Sequence, residues 1–125
     1  YEAMVLSCMD PRFQSKVYKY LKSEKLTGKY SSFTIAGAAI GVTHKRFKKW
    51  HSTFWDNLGV SIKLHKITKL IVINHKDCGA AKITFQGRNF NSKIENRIHQ
   101  KSFSDIKKNL KKRFPDLKLK FKILS

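Results

Sequence analysis

The chain is poor in residues that cross-link or punctuate small proteins. It has 2 cysteines, 2 prolines and 6 glycines in 125 positions. Two cysteines are too few for a disulfide scaffold. Cys8 and Cys78 are therefore weighed as buried thiols, metal ligands or nucleophiles. No apolar run approaches the roughly 18 residues of a membrane span, so no membrane partner is expected. The opening segment YEAMVLSCMD has no basic stretch ahead of an apolar one, which argues against a signal peptide. The chain starts at Tyr1 rather than Met, leaving room for a preceding segment, and a cytoplasmic location is the expectation. Acidic residues are scarce too, 8 against 27 basic ones.

The result is a formal net charge of +19. Such an excess raises the question of nucleic acid. The cations are 22 lysines and only 5 arginines, spread along the whole chain. Base readers and phosphate clamps favour arginine forks mixed with aromatics. A solvated basic surface is the better expectation, and dedicated nucleic-acid binding is not expected. Hydrophobic residues make up 41% and aromatics 12%, enough for a buried core. The length suits one domain, residues 1–125.

Apolar patterning supplies the elements. Ala3 to Ser7 is a short apolar run that reads as a buried strand. Phe13, Val17, Tyr20 and Leu21 follow helical spacing as far as Leu26, with Gly28 as a stop. Phe33 to Ile35 reads as a second strand, running into Ala36-Gly37-Ala38-Ala39. Trp50, Phe54, Leu58 and Ile62 are spaced four apart, the stripe of a helix whose apolar face belongs in the core. Leu70 to Ile73 is β-branched and continuous, the clearest strand. Gln86 to Lys93 reads as loop. Phe103, Ile106, Leu110 and Phe114 form a last amphipathic helix closed by Pro115. Leu117 to Leu124 alternates apolar residues with lysine, as a half-exposed edge strand does. Strands alternating with helices predict an α/β fold, with a mainly parallel sheet of four or five strands flanked by helices. In such sheets, sites form beyond the carboxyl ends of the strands.

Both cysteines fall at such ends. Cys8 follows the first strand, and His75-Lys76-Asp77-Cys78 follows the third. Thiolate and imidazole are preferred zinc ligands, and Cys8, His75 and Cys78 supply the three that a catalytic zinc needs beside an open position. Asp10 and Arg12 flank the first cysteine. Asp10 either fills the fourth position or pairs with Arg12, whose fork would keep it ionised and oriented. Asp77 is expected to cap a helix starting near Gly79. Ala36 to Gly41 lacks the spacing and the Lys-Ser/Thr ending of a phosphate loop, so no nucleotide site is assigned. His44, His51, His65 and His99 read as surface or packing residues.

Together, Cys8-x-Asp10-x-Arg12 and His75-x-x-Cys78-Gly79 resemble the paired signature of β-class carbonic anhydrases, a likeness covering most of the chain. It implies a β-carbonic-anhydrase-like fold and a zinc lyase interconverting carbon dioxide and bicarbonate. It also implies Cys8, His75 and Cys78 as ligands to Zn2+, and Asp10 with Arg12 as the catalytic dyad. Gly37 resembles the glycine of the family's Asn-Ala-Gly segment by the substrate pocket, and Gly79 the glycine after the last ligand. A homodimer or higher homo-oligomer is implied as well. Two departures are Thr34-Ile35, where the family commonly has Arg-Asn, and Pro11 between Asp10 and Arg12. Other readings of the same residues are a zinc hydrolase of carbonyl sulfide or carbon disulfide, and a catalytically impaired zinc-binding or interaction module of the same fold.

Overall fold

The computed structural model describes residues Tyr1–Ser125. Four strands, β1 (Ala3–Ser7), β2 (Tyr30–Thr34), β3 (Lys69–His75) and β4 (Lys118–Leu124), form one sheet in the order β2-β1-β3-β4. Every pairing is parallel. Five helices connect them: α1 (Gln14–Ser23), α2 (Ala39–Thr43), α3 (Lys48–His65), α4 (Gly79–Thr84) and α5 (Ser92–Arg113). This is the α/β arrangement expected, with four strands. No helix is long and apolar enough to cross a membrane.

The two central strands are buried on both faces, which is why they read as continuous apolar runs. Their side chains alternate between two cores. Met4, Leu6, Leu70 and Val72 join the larger cluster, with Phe54, Trp55, Leu58, Phe103, Ile106 and Leu110 from α3 and α5. Ala3, Val5, Ile71 and Ile73 face the other side and pack with Leu21 and Leu26. On the edge strand, Leu119, Phe121 and Ile123 pack on the larger cluster while Lys118, Lys120 and Lys122 are exposed. Lys120 pairs with Glu24, and both Lys120 and Lys122 lie over the Tyr20 ring.

Several expectations need correction. Trp50 is not core: it is 37% exposed and stacks on Phe47 at 4.7 Å, just before the buried stripe begins. The last helix starts at Ser92, well ahead of Phe103, because its first three turns bury Glu95, His99 and Ser102 instead of a run of apolar residues. The small-residue segment turns at Gly37 and Ala38, both at positive φ, into the short helix α2. Strand β3 continues through Asn74 to His75, since β4 runs alongside it to Leu124.

Phe54 is fully buried and meets Phe33 edge-on at 5.4 Å. Phe54→Ala should lower unfolding stability by about 3–5 kcal/mol, as removal of a buried aromatic does. Urea denaturation followed by circular dichroism measures it.

Candidate metal centre

Parallel pairing of β1 with β3 sets Ser7 beside Ile73, so both strands deliver their next residues to the same edge of the sheet. Cys8 leaves β1 there, His75 ends β3, and Cys78 stands immediately before α4. One ligand atom from each of Cys8, His75 and Cys78 lies within 4.8 Å of the others, and all three residues are buried. The His75 Nδ1 is 2.8 Å from the Lys76 carbonyl, which accepts from it and leaves Nε2 as the inward atom. That Nε2 is buried with no hydrogen-bond partner. A buried polar atom without a partner costs about 1–3 kcal/mol, and a cation between it and two sulfurs would remove that cost. The residues present fit a metal ion in both donor chemistry and burial. The Phe13 ring stacks on the imidazole at 4.1 Å and fixes its plane.

The two thiols do not share their protons evenly. The neighbouring Cys78 thiol is the main cause holding Cys8 well below its ordinary value; burial opposes this, while His75 and the Gly37 N–H assist. Cys78 is pushed far up by Cys8 and by burial. Proton loss is thereby eased at Cys8 and opposed at Cys78, so a metal ion held by both sulfurs would have to displace the Cys78 proton. Burial drives His75 down, but the nearby Cys8 sulfur and the Lys76 carbonyl outweigh it and the net shift is upward.

Asp10 and Arg12 are brought to the same place. Asp10 caps a 3₁₀ turn, Pro11–Phe13, accepting the Arg12 N–H at 2.9 Å. Pro11 occupies the first position of that turn, where its missing N–H costs nothing. The Arg12 guanidinium donates to Asp10 Oδ2 from Nη2 at 2.7 Å and from Nε at 3.2 Å. Arg12 holds the Asp10 carboxyl at about 2. Asp10 Oδ2 lies 3.8 Å from His75 Nε2. Of the two arrangements open to Asp10, the structure has the one paired with Arg12.

Asp77 does not cap α4. It sits at φ +57, and its carboxylate accepts from Arg12 Nη1 at 2.8 Å. Arg12 thus bridges the loops that follow β1 and β3, and it holds the Asp77 carboxyl below its usual range. The helix-capping residue is Cys78, whose N–H donates to Glu95 of α5 at 3.0 Å. Gly37, at φ +77, donates its N–H to the Cys8 sulfur at 3.3 Å. Gly79 opens α4, with nothing within 4 Å of where a Cβ would stand. Of the departing pair, Thr34 ends β2 and Ile35 follows it, its side chain packing on the larger core. Glu95, Asn74 and Gln14 touch this region and were not singled out from sequence; His99, expected as a surface or packing residue, is buried beside Glu95. The Gln14 amide donates to the Cys8 and Asp10 carbonyls, both at 3.0 Å. The spacing of Glu95, His99 and Ser102 along one helix face was the available signal. His44, His51 and His65 lie elsewhere: His44 caps the 3₁₀ turn before α3, His51 contacts the His44 carbonyl, and His65 stacks near Tyr1.

A family model described as "Putative carbonic anhydrase" matches residues 2–118. Two uncharacterized proteins, from Rickettsia bellii (strain RML369-C) and Rickettsia conorii (strain ATCC VR-613 / Malish 7), are each 26% identical over 117 residues, 93% of this chain. The match spans 71% of the first relative and 63% of the second.

A Cβ on Gly37 would stand 2.7 Å from the Ala80 Cβ, at a φ that side chains rarely adopt. Gly37→Ala should therefore destabilise the fold by more than about 1 kcal/mol, read as a lower urea midpoint. It should also weaken metal uptake, because relieving the clash with Ala80 shifts the turn that aims the backbone N–H of position 37 at the Cys8 sulfur. An unchanged midpoint would contradict this account of the turn.

Proposed function

The chain belongs to this family of putative carbonic anhydrases, and on that premise we propose that it is a zinc enzyme interconverting carbon dioxide and bicarbonate. The observation that carries the reading is the buried trio Cys8, His75 and Cys78, with its unpartnered imidazole nitrogen. Two sulfurs and one nitrogen are three protein ligands, the number that leaves a fourth position for chemistry. Zinc bound there would lower the pKa of water from 15.7 towards about 7 and so make hydroxide available at neutral pH.

The other roles fall to side chains. Asp10 is ionised and can only accept, so it would hold the hydrogen of the nucleophile and turn a lone pair towards the substrate. Arg12 is the orienting partner: it grips the Asp10 carboxylate through Nε and Nη2 while anchored to Asp77 and the Asp77 carbonyl. That anchoring limits the carboxylate's freedom before substrate arrives, which is the preorganisation catalysis requires. Gly79 would form pocket wall, with open space where a side chain would stand, and Gly37 would line the pocket through its backbone, packed against Ala80.

Elemental analysis of the purified chain should find one zinc per chain. Cys8→Ser, His75→Ala and Cys78→Ser should each lose most of it, and stoichiometric zinc in all three would refute the ligand set. Asp10→Asn should keep the zinc and slow stopped-flow carbon dioxide hydration by roughly 10²-fold or more. A zinc-loaded wild-type chain with no rate above buffer near neutral pH would count against the enzyme reading.

A further inference from the structure

Behind Cys78 lies a run of buried polar groups to which the carbon dioxide reading gives no role. Its bond directions follow from one end. The Ala39 N–H can only donate, so the Asn74 atom 3.1 Å away is the side-chain oxygen. Asn74 Nδ2 then donates to His99 Nδ1 at 2.8 Å and to Ser102 Oγ at 3.3 Å. With Nδ1 accepting, the proton on the neutral ring sits on Nε2, which donates to Glu95 Oε2 at 2.9 Å. That same oxygen accepts the Cys78 N–H at 3.0 Å. Ser102 Oγ closes the run by donating to the His99 carbonyl at 2.6 Å.

Every member is buried, His99 with 1% of its surface exposed. A carboxylate in such a place is costly unless its hydrogen bonds are made. Glu95 has two N–H donors and also sits in the first turn of α5, where the helix favours negative charge. The network touches the segments that carry His75 and Cys78, and it holds the helix that follows the turn facing Cys8. Asn74 precedes His75, Glu95 holds the Cys78 amide, and Ala39 lies two residues after Gly37, whose N–H meets the Cys8 sulfur.

We propose that Glu95, supported by His99 and Asn74, is a positioning residue for the metal centre, fixing the Cys78 backbone and with it the direction of the Cys78 sulfur. The inference rests on the reading of Cys8, His75 and Cys78 as the metal site. Ordinary hydrogen bonding within a core would make the same contacts without affecting the metal, so the test must read the metal itself.

Cobalt(II) titration of the full chain does so, through sulfur-to-cobalt charge-transfer and ligand-field absorption and through affinity in competition with a chelator. Both contacts to Glu95 use one oxygen, so Glu95→Gln, which keeps an acceptor there, should retain the wild-type spectrum and affinity. Glu95→Ala should bind cobalt about 10–100-fold more weakly, the usual loss when a ligand's supporting partner is removed, with an altered ligand-field band. Should Glu95→Ala not fold, Glu95→Asp, which keeps the charge but not the reach, is expected to behave the same way. A folded Glu95→Ala or Glu95→Asp with wild-type spectrum and affinity would overturn the positioning role alone. A wild-type chain that binds no cobalt would overturn the metal reading and this inference together.

Discussion

Two thiols and an imidazole nitrogen held within 4.8 Å, out of contact with water, make an arrangement that a protein without a use for it would avoid. Each group prefers a partner, and one of them, His75 Nε2, has none. The sheet imposes the encounter. Cys8 follows β1 and His75 ends the neighbouring parallel strand β3, so their approach is fixed by the β1–β3 register rather than by any contact between them. Cys78 is brought in by a three-residue turn whose second member, Asp77, takes a positive φ. Shifting the register by one residue would turn Cys8 away and exchange the faces of Met4, Val5 and Leu6. The two apolar clusters that define the fold therefore also define the site.

Around that centre the polar contacts form two braces. Arg12 ties the loop after β1 to the loop after β3 through two carboxylates and a carbonyl. Glu95 ties the second loop to α5, and Asn74 ties the strand itself to α2. The first brace is exposed, and an ion pair there contributes little to stability. Its value is orientation: with Nε and Nη2 on Asp10 and Nη1 on Asp77, the guanidinium leaves the Asp10 carboxylate one direction to face. The second brace is buried, where an unmade hydrogen bond is expensive and a made one specifies a single geometry.

How much of this was legible beforehand follows from the range of the interactions. The strands were, because burial on both faces writes a local apolar run. The convergence of Cys8, His75 and Cys78 and the Asp10–Arg12 pair were, because each half is compact in sequence and the topology joins them. Trp50 misled because a spacing of four overruns the 3.6-residue turn. The buried stripe is Phe54, Trp55, Leu58 and Ser61, and a residue four before Phe54 has already rotated towards solvent. The start of α5 was hidden because its inward face carries Glu95, His99 and Ser102, polar residues whose partners lie on β3 and ahead of α4. Asp77 looked like a cap because Asp before a helix usually is one. The arginine that claims its carboxylate lies 65 positions away in the chain.

The charge distribution sharpens the same point. With 8 acidic residues in a chain of net charge +19, carboxylates are a scarce resource. Three of them, Asp10, Asp77 and Glu95, converge on the candidate metal centre or on groups beside it. Lysines elsewhere stand mostly in solvent, where any like charge would serve as well. A cation placed between the sulfurs would meet a neighbourhood far more negative than the molecule as a whole. Near the site a unit charge a few ångströms away outweighs many screened charges at the surface, since salt damps interactions beyond a Debye length of about 8–10 Å. The global excess of lysine therefore does not repel a divalent ion from this pocket. Its field acts at longer range, where it would draw small anions such as bicarbonate towards a protein whose site is itself locally anionic.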